Sequence, residues 1–406
     1  MSWTATRMGG VILASASMLL TSCVAPDGPV GAAMSMVDSA GVRIVTTHRL
    51  EWDTVRILEE QPAAAFPGDR SSAALSRVRD AAVVGNRVAV LDSQEERVFL
   101  FSEAGEPEDT VGGPGQGPGE FRAAVSMTVA DGNIHVFDRS LRRITQFAPD
   151  GTIRRLVSLQ APDFPGKQHV SYAWMVDADR VLVWEYVESE QAPVSSSGDA
   201  ERWVTPGRLR LANLATSGVE TLFRAPARDW IVEGSRWWVA PFGPYTTLSH
   251  ANGRLYMSPG SSHAVHIIDP DSGWVASYRY PAADRPFDLR ELARLEDEAR
   301  VEASESGHPF MAEVLFSPDI QPPMQPAIQR VRVTGWGAVW AQVHAPAQHH
   351  SPDWWVLGAD GRFRGIVRLP GRRELLGFDG DYAIMRSLDE FDVPTVELWR
   401  LPADLR

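Results

Sequence analysis

The sequence has one cysteine, one lysine and too few basic residues to balance its acidic ones. The single cysteine excludes an intrachain disulfide bond and a zinc site built on pairs of cysteines. With 39 Lys and Arg against 52 Asp and Glu, the 406-residue chain carries a formal net charge of −13. We therefore expect no nucleic-acid partner, because nucleic acid requires a basic face. Beyond the N-terminus no apolar run approaches about 18 residues, so no transmembrane helix is expected there.

A short apolar run, Met8 to Leu20, follows the single charge of Arg7. Its 13 residues are too few to span a bilayer as a helix, but they suit the apolar region of a secretory signal. The run ends in Leu20-Thr21-Ser22-Cys23, which resembles the bacterial lipobox. The resemblance implies a lipoprotein signal peptide over residues 1–22 and lipid attachment at Cys23. The alternative is an ordinary cleaved signal, or a buried N-terminal helix, with a cysteine there by chance.

The residues after the cysteine predict the location of the protein in the cell envelope and a flexible tether. In lipoproteins of this type an Asp after the cysteine often retains the protein at the inner membrane, and here the residue is Val24. We therefore expect an exported protein anchored in the outer membrane by its lipid and facing the periplasm. Residues 23–37 are rich in Pro, Gly and Ala and predict a flexible tether, followed by one folded domain over 38–406.

An internal repeat sets the expected fold. Arg87–Asp92 matches Asn133–Asp138, and the downstream pairs Phe101/Phe147 and Gly105/Gly151 keep the same offset of 46 residues. Apolar residues alternate within each copy, and Gly or Asp-Gly turns separate the runs. A period of about 40–50 residues with four short strands per copy predicts a β-propeller, whose blades bury their faces against neighbouring blades.

The expected fold class is all-β: a six-bladed β-propeller, with seven blades possible, and one inserted amphipathic helix. The stretch from Gly41 to Leu58 is expected to pair with the last blade and close the ring. Leu289, Leu292 and Leu295 stand at helical spacing and predict the helix over about 287–306, between blades four and five. The expected blades cover about 77–111, 123–160, 170–224, 245–281, 328–369 and 372–402.

The linker between the first two copies of the repeat resembles a known type of repeat more specifically. Its sequence, Val111-Gly-Gly-Pro-Gly-Gln-Gly-Pro-Gly-Glu-Phe121, precedes a Val-x-Asp strand and an Arg-Val/Ile-x-x-Phe strand, as in NHL-type repeats. The chain resembles six-bladed β-propeller lipoproteins of an uncharacterised bacterial family, which carry an early Asp-Ser-x-Gly-Val stretch, here Asp38–Val42. The resemblance implies a fold, and such a fold hosts many functions.

Several polar motifs are expected to be structural. The glycine-rich loop 112–119 lacks the Lys-Ser/Thr of a phosphate-binding loop, so its glycines are expected to serve a turn, with Phe121 packed between blades. Asp92 and Asp138 share one repeat position, and Arg97 and Arg143 share another. Because a site is asymmetric and a repeated residue usually is not, we expect these four to be turn and inter-strand partners.

Metal and nucleophile chemistry find little support in the sequence. The histidines cluster at His263 and His266 and again at 344, 349 and 350, without a His-Glu-x-x-His spacing. We therefore expect no metal and no cofactor, although Asp80 is a plausible member of a carboxylate-based calcium site. No Gly-x-Ser-x-Gly motif occurs, and the only cysteine is assigned to lipid.

Tryptophan is the remaining signal, with 14 in the chain and doublets at 237–238 and 354–355. Trp237, Trp238, Arg236 and Arg228 are the candidate ligand-binding residues, because they fall in what reads as a long irregular connection from 224 to 245. The alternative is that one tryptophan of each doublet fills the space between blades. We expect a non-catalytic binding or scaffold lipoprotein for a peptide, glycan or protein. The other hypothesis is a metal-assisted hydrolase or lyase, with three or more Asp, Glu, Asn or His side chains near the channel axis.

Overall fold

The computed structural model describes residues 34–49, 55–58, 61–68, 74–159, 168–187, 200–280, 289–305, 310–322, 324–343 and 353–406. The expected signal peptide, Cys23 and the histidines at 344, 349 and 350 lie outside these residues. None of the helices in these ranges is long and apolar enough to cross a membrane.

The strands form six sheets, one for each blade of a propeller. Four short strands precede the first blade: β1 (Met34–Ser39), β2 (Val42–Thr47), β3 (Val55–Ile57) and β4 (Ala64–Phe66). Blade one is β5 (Val78–Val84), β6 (Arg87–Asp92), β7 (Arg97–Ser102) and β8 (Pro107–Gly112). Blade two is β9 (Ala124–Ala130), β10 (Asn133–Asp138), β11 (Arg143–Phe147) and β12 (Ile153–Ser158).

The later blades follow the same inside-to-outside order. Blade three is β13 (Gln168–Met175), β14 (Arg180–Val187), β15 (Glu201–Asn213), β16 (Gly218–Glu233) and β17 (Arg236–Val239). Blade four is β18 (Thr247–Ala251), β19 (Arg254–Ser258), β20 (Ala264–Asp269) and β21 (Gly273–Arg279). Helices α1 (Leu289–Glu305) and α2 (Phe310–Phe316) come next. Blade five is β22 (Ile328–Val333), β23 (Val339–Val343), β24 (Asp353–Leu357) and β25 (Phe363–Arg368), and blade six is β26 (Arg373–Asp379), β27 (Tyr382–Leu388) and β28 (Pro394–Arg400).

The ring is closed by hydrophobic cores that lie between neighbouring blades. Phe121 is fully buried between blades one and two, as expected from the sequence. A matching core joins blade six to blade one, where Leu376 and Ile384 meet Val90 and Phe101. The other four interfaces are filled in the same way. The expected six-bladed propeller is confirmed, and the seven-bladed alternative is not observed.

The N-terminal strands do not pair as the sequence suggested. β2 lies parallel to β21 at the outer edge of blade four, with β1 outside it, and β3 lies parallel to β25 in blade five. The expectation that residues 41–58 join the last blade is therefore wrong. β4 completes blade six instead, antiparallel to β28. Alternation of apolar residues marks a strand but does not identify the edge it joins. β1 begins at Met34, four residues before the expected start of the domain.

Blade three carries a three-stranded extension, formed by residues 201–206, 226–233 and 236–239. β15 and β16 continue to pair beyond the end of β14, and β17 pairs with the last residues of β16. The segment from 224 to 245 is thus largely sheet, and reading it as an irregular connection was wrong. Two prolines of the extension, Pro206 and Pro226, oppose each other at a register shift, which obscures the alternation of apolar residues.

The expected helix between blades four and five is confirmed as α1, and a second helix, α2, follows it. Leu292 is buried, while Arg294 pairs with Glu298 and Glu296 with Arg300 on the exposed side. The segment after α2 packs on the three-stranded extension. Arg202 donates to the carbonyl of Ile320 at 3.0 Å, so the two insertions support each other.

Candidate functional site

The channel along the propeller axis has an entry end, defined by the chain direction. Each blade is an antiparallel meander that begins with its innermost strand, so the chain enters β5, β9, β13, β18, β22 and β26 from the same end. The helical insertion precedes β22, and the three-stranded extension precedes β18. Both insertions therefore stand at the entry end, around the mouth of the channel.

Six charged side chains converge at this mouth, and we call them the channel cluster. They are Arg79 and Asp80 of β5, Arg330 and Arg332 of β22, Glu374 of β26 and Arg386 of β27. Asp80 and Arg332 are partly solvent-accessible, yet protein surrounds both closely enough to shift the pKa of each by burial. Both side chains are therefore half-buried.

Arg332 lies near the axis, because groups from four other parts of the ring act on it. Its Nε donates to the carbonyl of Leu375 in blade six at 3.2 Å. Burial lowers the pKa of Arg332, whereas Asp80 of blade one, Tyr172 of blade three and Tyr245 before blade four raise it. Only a position close to the centre brings one guanidinium within range of all of these.

Glu374 ties two of the arginines together. One carboxylate oxygen pairs with Arg330 of blade five and the other with Arg386 of its own blade. Arg386 also donates from Nη1 to the carbonyl of Val78 in blade one, at 2.8 Å. Its Nε is buried without a hydrogen-bond partner among the described residues. The cluster thus links blades five, six and one and keeps a donor unused.

Asp80 is held by backbone groups. Its Oδ2 accepts the N–H of Met127 at 3.0 Å, and its Oδ1 accepts its neighbour's N–H, that of Ala81, also at 3.0 Å. None of the arginines that the structure describes forms an ion pair with it. Burial raises the pKa of Asp80 to about 6, while the Met127 N–H and the charge of Arg332 act to lower it.

The balance of charge in the cluster is positive. Burial, together with the charges of Arg332, Arg386 and Arg79, lowers the pKa of Arg330 to about 10, and Tyr245 acts in the opposite direction. Arg330 nevertheless stays charged at neutral pH, so four guanidinium groups face two carboxylates. A chain with an overall charge of −13 thus concentrates positive charge at the channel mouth. Such a place attracts an anion, because Arg matches carboxylate and phosphate oxygens with paired donors.

The cluster is not a requirement of the repeat. At the offset of 46 residues, Arg79 corresponds to Val125 and Asp80 to Ser126. Asp92 and Asp138, in contrast, recur because both close the same turn. Asp138, for example, is fully buried and accepts the N–H groups of Arg122, Ala123 and Leu141 at 2.6–3.1 Å.

The glycine-rich loop is also structural. Arg143 donates to the carbonyls of Gln116, Gly117 and Glu120 and fixes the loop from inside the blade. Gly112 has a φ of +93°, and a Cβ at that position would overlap the ring of Phe121. The loop therefore makes a compact turn between blades.

The candidate tryptophan site is only partly assembled. The Arg228 guanidinium lies 5.5 Å from the centre of the Trp230 ring, and that ring lies 6.0 Å from the Trp237 ring. Trp238 is on the opposite face of β17, and Arg236 stands 3.7 Å from Glu233. The structure thus brings Arg228 and Trp237 together around Trp230, which the sequence analysis did not single out. The other two candidates, Arg236 and Trp238, lie on the opposite face of β17 from Trp237.

The second tryptophan doublet is in the cores. Trp354 and Trp355 alternate across β24, and both are buried, between blades five and six and between blades four and five respectively. Both members of this doublet therefore pack between blades, whereas the packing alternative placed only one of them there.

The histidines that are described do not form a metal centre. His266 contacts Ser277 at 3.1 Å and packs against Trp274, and burial lowers its pKa to about 4. His263 packs against Tyr280. In the described part of the chain no group of three or more His, Cys, Asp or Glu side chains is arranged to hold a metal. The groups that converge near the axis are four guanidiniums and two carboxylates, those of Asp80 and Glu374.

Comparison with known proteins supports the fold. Residues 70–161 match the model of the family DUF5128, described as a 6-bladed beta-propeller. A member of the DUF4221 family from Bacteroides vulgatus superposes with a TM-score of 0.50 at 12% identity, covering 84% of this chain and 97% of that one. No curated protein matches the chain.

Two further structures are similar at lower scores. For a candidate exported protein from Bacteroides fragilis the TM-score is 0.48 at 11% identity, with 88% and 99% of the two chains covered. For the calcium-binding protein regucalcin from Agrobacterium tumefaciens it is 0.41 at 8% identity, with 86% and 97% covered. The protein is a six-bladed β-propeller. At these identities the structural likeness concerns the fold alone.

Proposed function

We propose that this protein is a lipid-anchored binding protein of the bacterial cell envelope that holds an anionic ligand at the entry mouth of its channel, without catalysing a reaction. The observation that carries the proposal is the convergence of Arg79, Arg330, Arg332 and Arg386 from blades one, five and six. Placing like charges together costs stability in a folded protein. A ligand that supplies the missing negative charge would recover that cost, which is the reason to retain such a cluster.

The ligand class follows from the donors. Guanidinium groups bind carboxylate and phosphate oxygens through paired N–H donors. Tyr245 reaches the mouth as well, with its hydroxyl donating to the carbonyl of Gln329 at 2.9 Å and its ring partly exposed. A small dianion, or the carboxylate end of a peptide, fits this combination of a charged centre and an aromatic rim. The metal-assisted enzyme is the weaker hypothesis, because the charged groups described at the axis are mostly cationic.

Anion binding is the first prediction. Full-length protein in detergent should bind sulfate and succinate in isothermal titration calorimetry at matched ionic strength, and glucose should not bind. Arg332→Gln should weaken sulfate binding about tenfold, because it removes a charge-assisted donor pair at the axis. Arg362→Gln is the matched control, since this exposed blade-five arginine pairs only weakly with Asp360 at 3.5 Å. Equal affinity in wild type and Arg332→Gln, or no anion binding by the wild type, would reject the proposal.

Membrane attachment is tested separately, through Cys23. Wild-type protein should appear in the membrane fraction and incorporate labelled palmitate, and Cys23→Ala should lose both properties, because the thiol is the acylated group. Ala25→Ser, two residues further on, should behave as the wild type. A Cys23→Ala protein that stays membrane-bound and still incorporates palmitate would refute lipid anchoring at this position.

A further inference from the structure

The carboxyl group of Asp80 is held in one position inside the proposed anion site. Of the individual charges that act on the pKa of Arg332, that of Asp80 has the largest effect. The β-bulge between Val78 and Asp80 and the N–H groups of Met127 and Ala81 fix the carboxylate in place. The aspartate therefore offers Arg332 a built-in counter-ion at the place where a ligand anion would be attracted.

Apart from Glu374, the charged side chains that surround Asp80 in the channel cluster are cationic. β9, which donates the Met127 N–H, carries no ionisable side chain. The charges that act directly on Asp80 are Arg332 of β22 and Arg79 of its own strand. The remaining ionisable groups of the cluster and its rim are Arg330, Glu374, Arg386, Tyr172 and Tyr245.

Two histidines also stand on innermost strands, His169 on β13, where it stacks on Tyr186 of its own blade, and His250 on β18. Burial, together with the neighbouring His135, lowers the pKa of His250 on β18 to about 4. His250 is thus neutral over the range in which Asp80 changes charge. Of these two groups, only the carboxylate responds between about pH 5 and pH 8.

We propose that Asp80 competes with the ligand anion for Arg332, so that protonation of Asp80 strengthens anion binding and its ionisation promotes release. The inference rests on the proposed anion site and adds its regulation. With a pKa of about 6, Asp80 is mostly protonated at pH 5 and mostly ionised at pH 8. Protonation leaves four positive charges facing Glu374 alone, and ionisation restores the second negative charge.

The test uses sulfate, because sulfate keeps its double negative charge over this whole pH range. Calorimetry on full-length protein at pH 5 and pH 8, at constant ionic strength, should show sulfate affinity about tenfold higher at pH 5. That size is about what one unit charge contributes when it acts through a partly solvated site. Asp80→Asn should bind sulfate at both pH values with the tighter affinity, because its side chain is neutral throughout.

Asp379→Asn is the matched control. Asp379 ends β26, so it stands on an innermost strand at the opposite end of the channel, and burial raises its pKa as well. This variant should keep the affinity and the pH dependence of the wild type. A general effect of carboxylate loss would change both variants alike.

The outcomes separate the two proposals. If neither wild type nor Asp80→Asn binds sulfate at any pH, the anion site itself is wrong. If the wild type binds sulfate equally at pH 5 and pH 8, Asp80 does not regulate the site, although the site stands. The wild-type profile decides this point even if Asp80→Asn fails to fold. Tighter binding at pH 8 than at pH 5 would also overturn the inference.

Discussion

Asp138→Ala is expected to lower the free energy of unfolding by about 3 kcal/mol, as measured by urea denaturation of the full-length protein. The carboxylate of Asp138 is fully buried and accepts three backbone N–H groups, those of Arg122, Ala123 and Leu141. Alanine removes the acceptor and leaves donors near the blade interior without a partner. Each charge-assisted bond of this kind contributes about 1.5–3 kcal/mol, and water reaching the exposed Arg122 backbone would recover part of the loss.

The repeat provides an internal comparison for this prediction. Asp92 occupies the same position in blade one, is fully buried, and accepts N–H groups from Ser76, Arg77, Gln94 and Glu95. Asp92→Ala should therefore destabilise the protein to a similar degree. Glu103→Ala, which removes an exposed carboxylate of the same blade, should leave the unfolding midpoint unchanged. If Asp138→Ala also left the midpoint unchanged while abolishing sulfate binding, the aspartate would have to be reassigned from the fold to the site.

These aspartates explain why blades one and two could be recognised in the sequence. Each Asp closes a turn within its own repeat, so the structural reason for the residue is local and recurs at the same offset. The strand bounds of β6 and β10 follow the alternating apolar residues for the same reason. The strands of blade three were harder to predict from the sequence, because β15 and β16 extend far past β14 and carry prolines at opposed positions.

The channel cluster could not be predicted from the sequence in the same way. Asp80 and Arg332 belong to blades one and five, and nothing in their local sequences states that they share the axis. Asp80 was singled out as an acidic residue near the top of an innermost strand, but a calcium ligand needs other carboxylates around it. The described surroundings are arginines instead. One signal was present: Arg330-Val331-Arg332 puts two charges on the same face of an innermost strand.

Closure of the ring was predictable in principle but not in detail. A propeller needs its last sheet completed by a strand from the other end of the chain, since an open ring would leave two edges unpaired. Three N-terminal segments could supply that strand, and all three are short. β2 and β3 became parallel additions to blades four and five, and only β4 joined blade six. The side chain that distinguishes β4 is Phe66.

Phe66→Ala is expected to destabilise the protein by about 3–5 kcal/mol, the usual cost of deleting a buried phenylalanine ring. Phe66 is 1% exposed and lies in the core that joins blade six to blade one, with its ring 6.2 Å from that of Phe101. It is also part of the closing strand, where it is the register partner of Val396. The substitution therefore weakens both the core and the seam at which the ring is joined.

A matched control exists near the other end of the same blade. Phe391, in the connection before β28, is 78% exposed, so Phe391→Ala should leave the free energy of unfolding within about 0.5 kcal/mol of the wild type. Hydrogen exchange localises the effect: in Phe66→Ala, the amides of β28 and β5 should lose protection before those of β10 and β20. We expect this order because the cavity left by the deleted Phe66 ring lies at the junction of blades six and one, whereas the other interfaces keep their cores. Uniform loss of protection around the ring would instead mean that β4 is not the closing element and that the ring opens elsewhere.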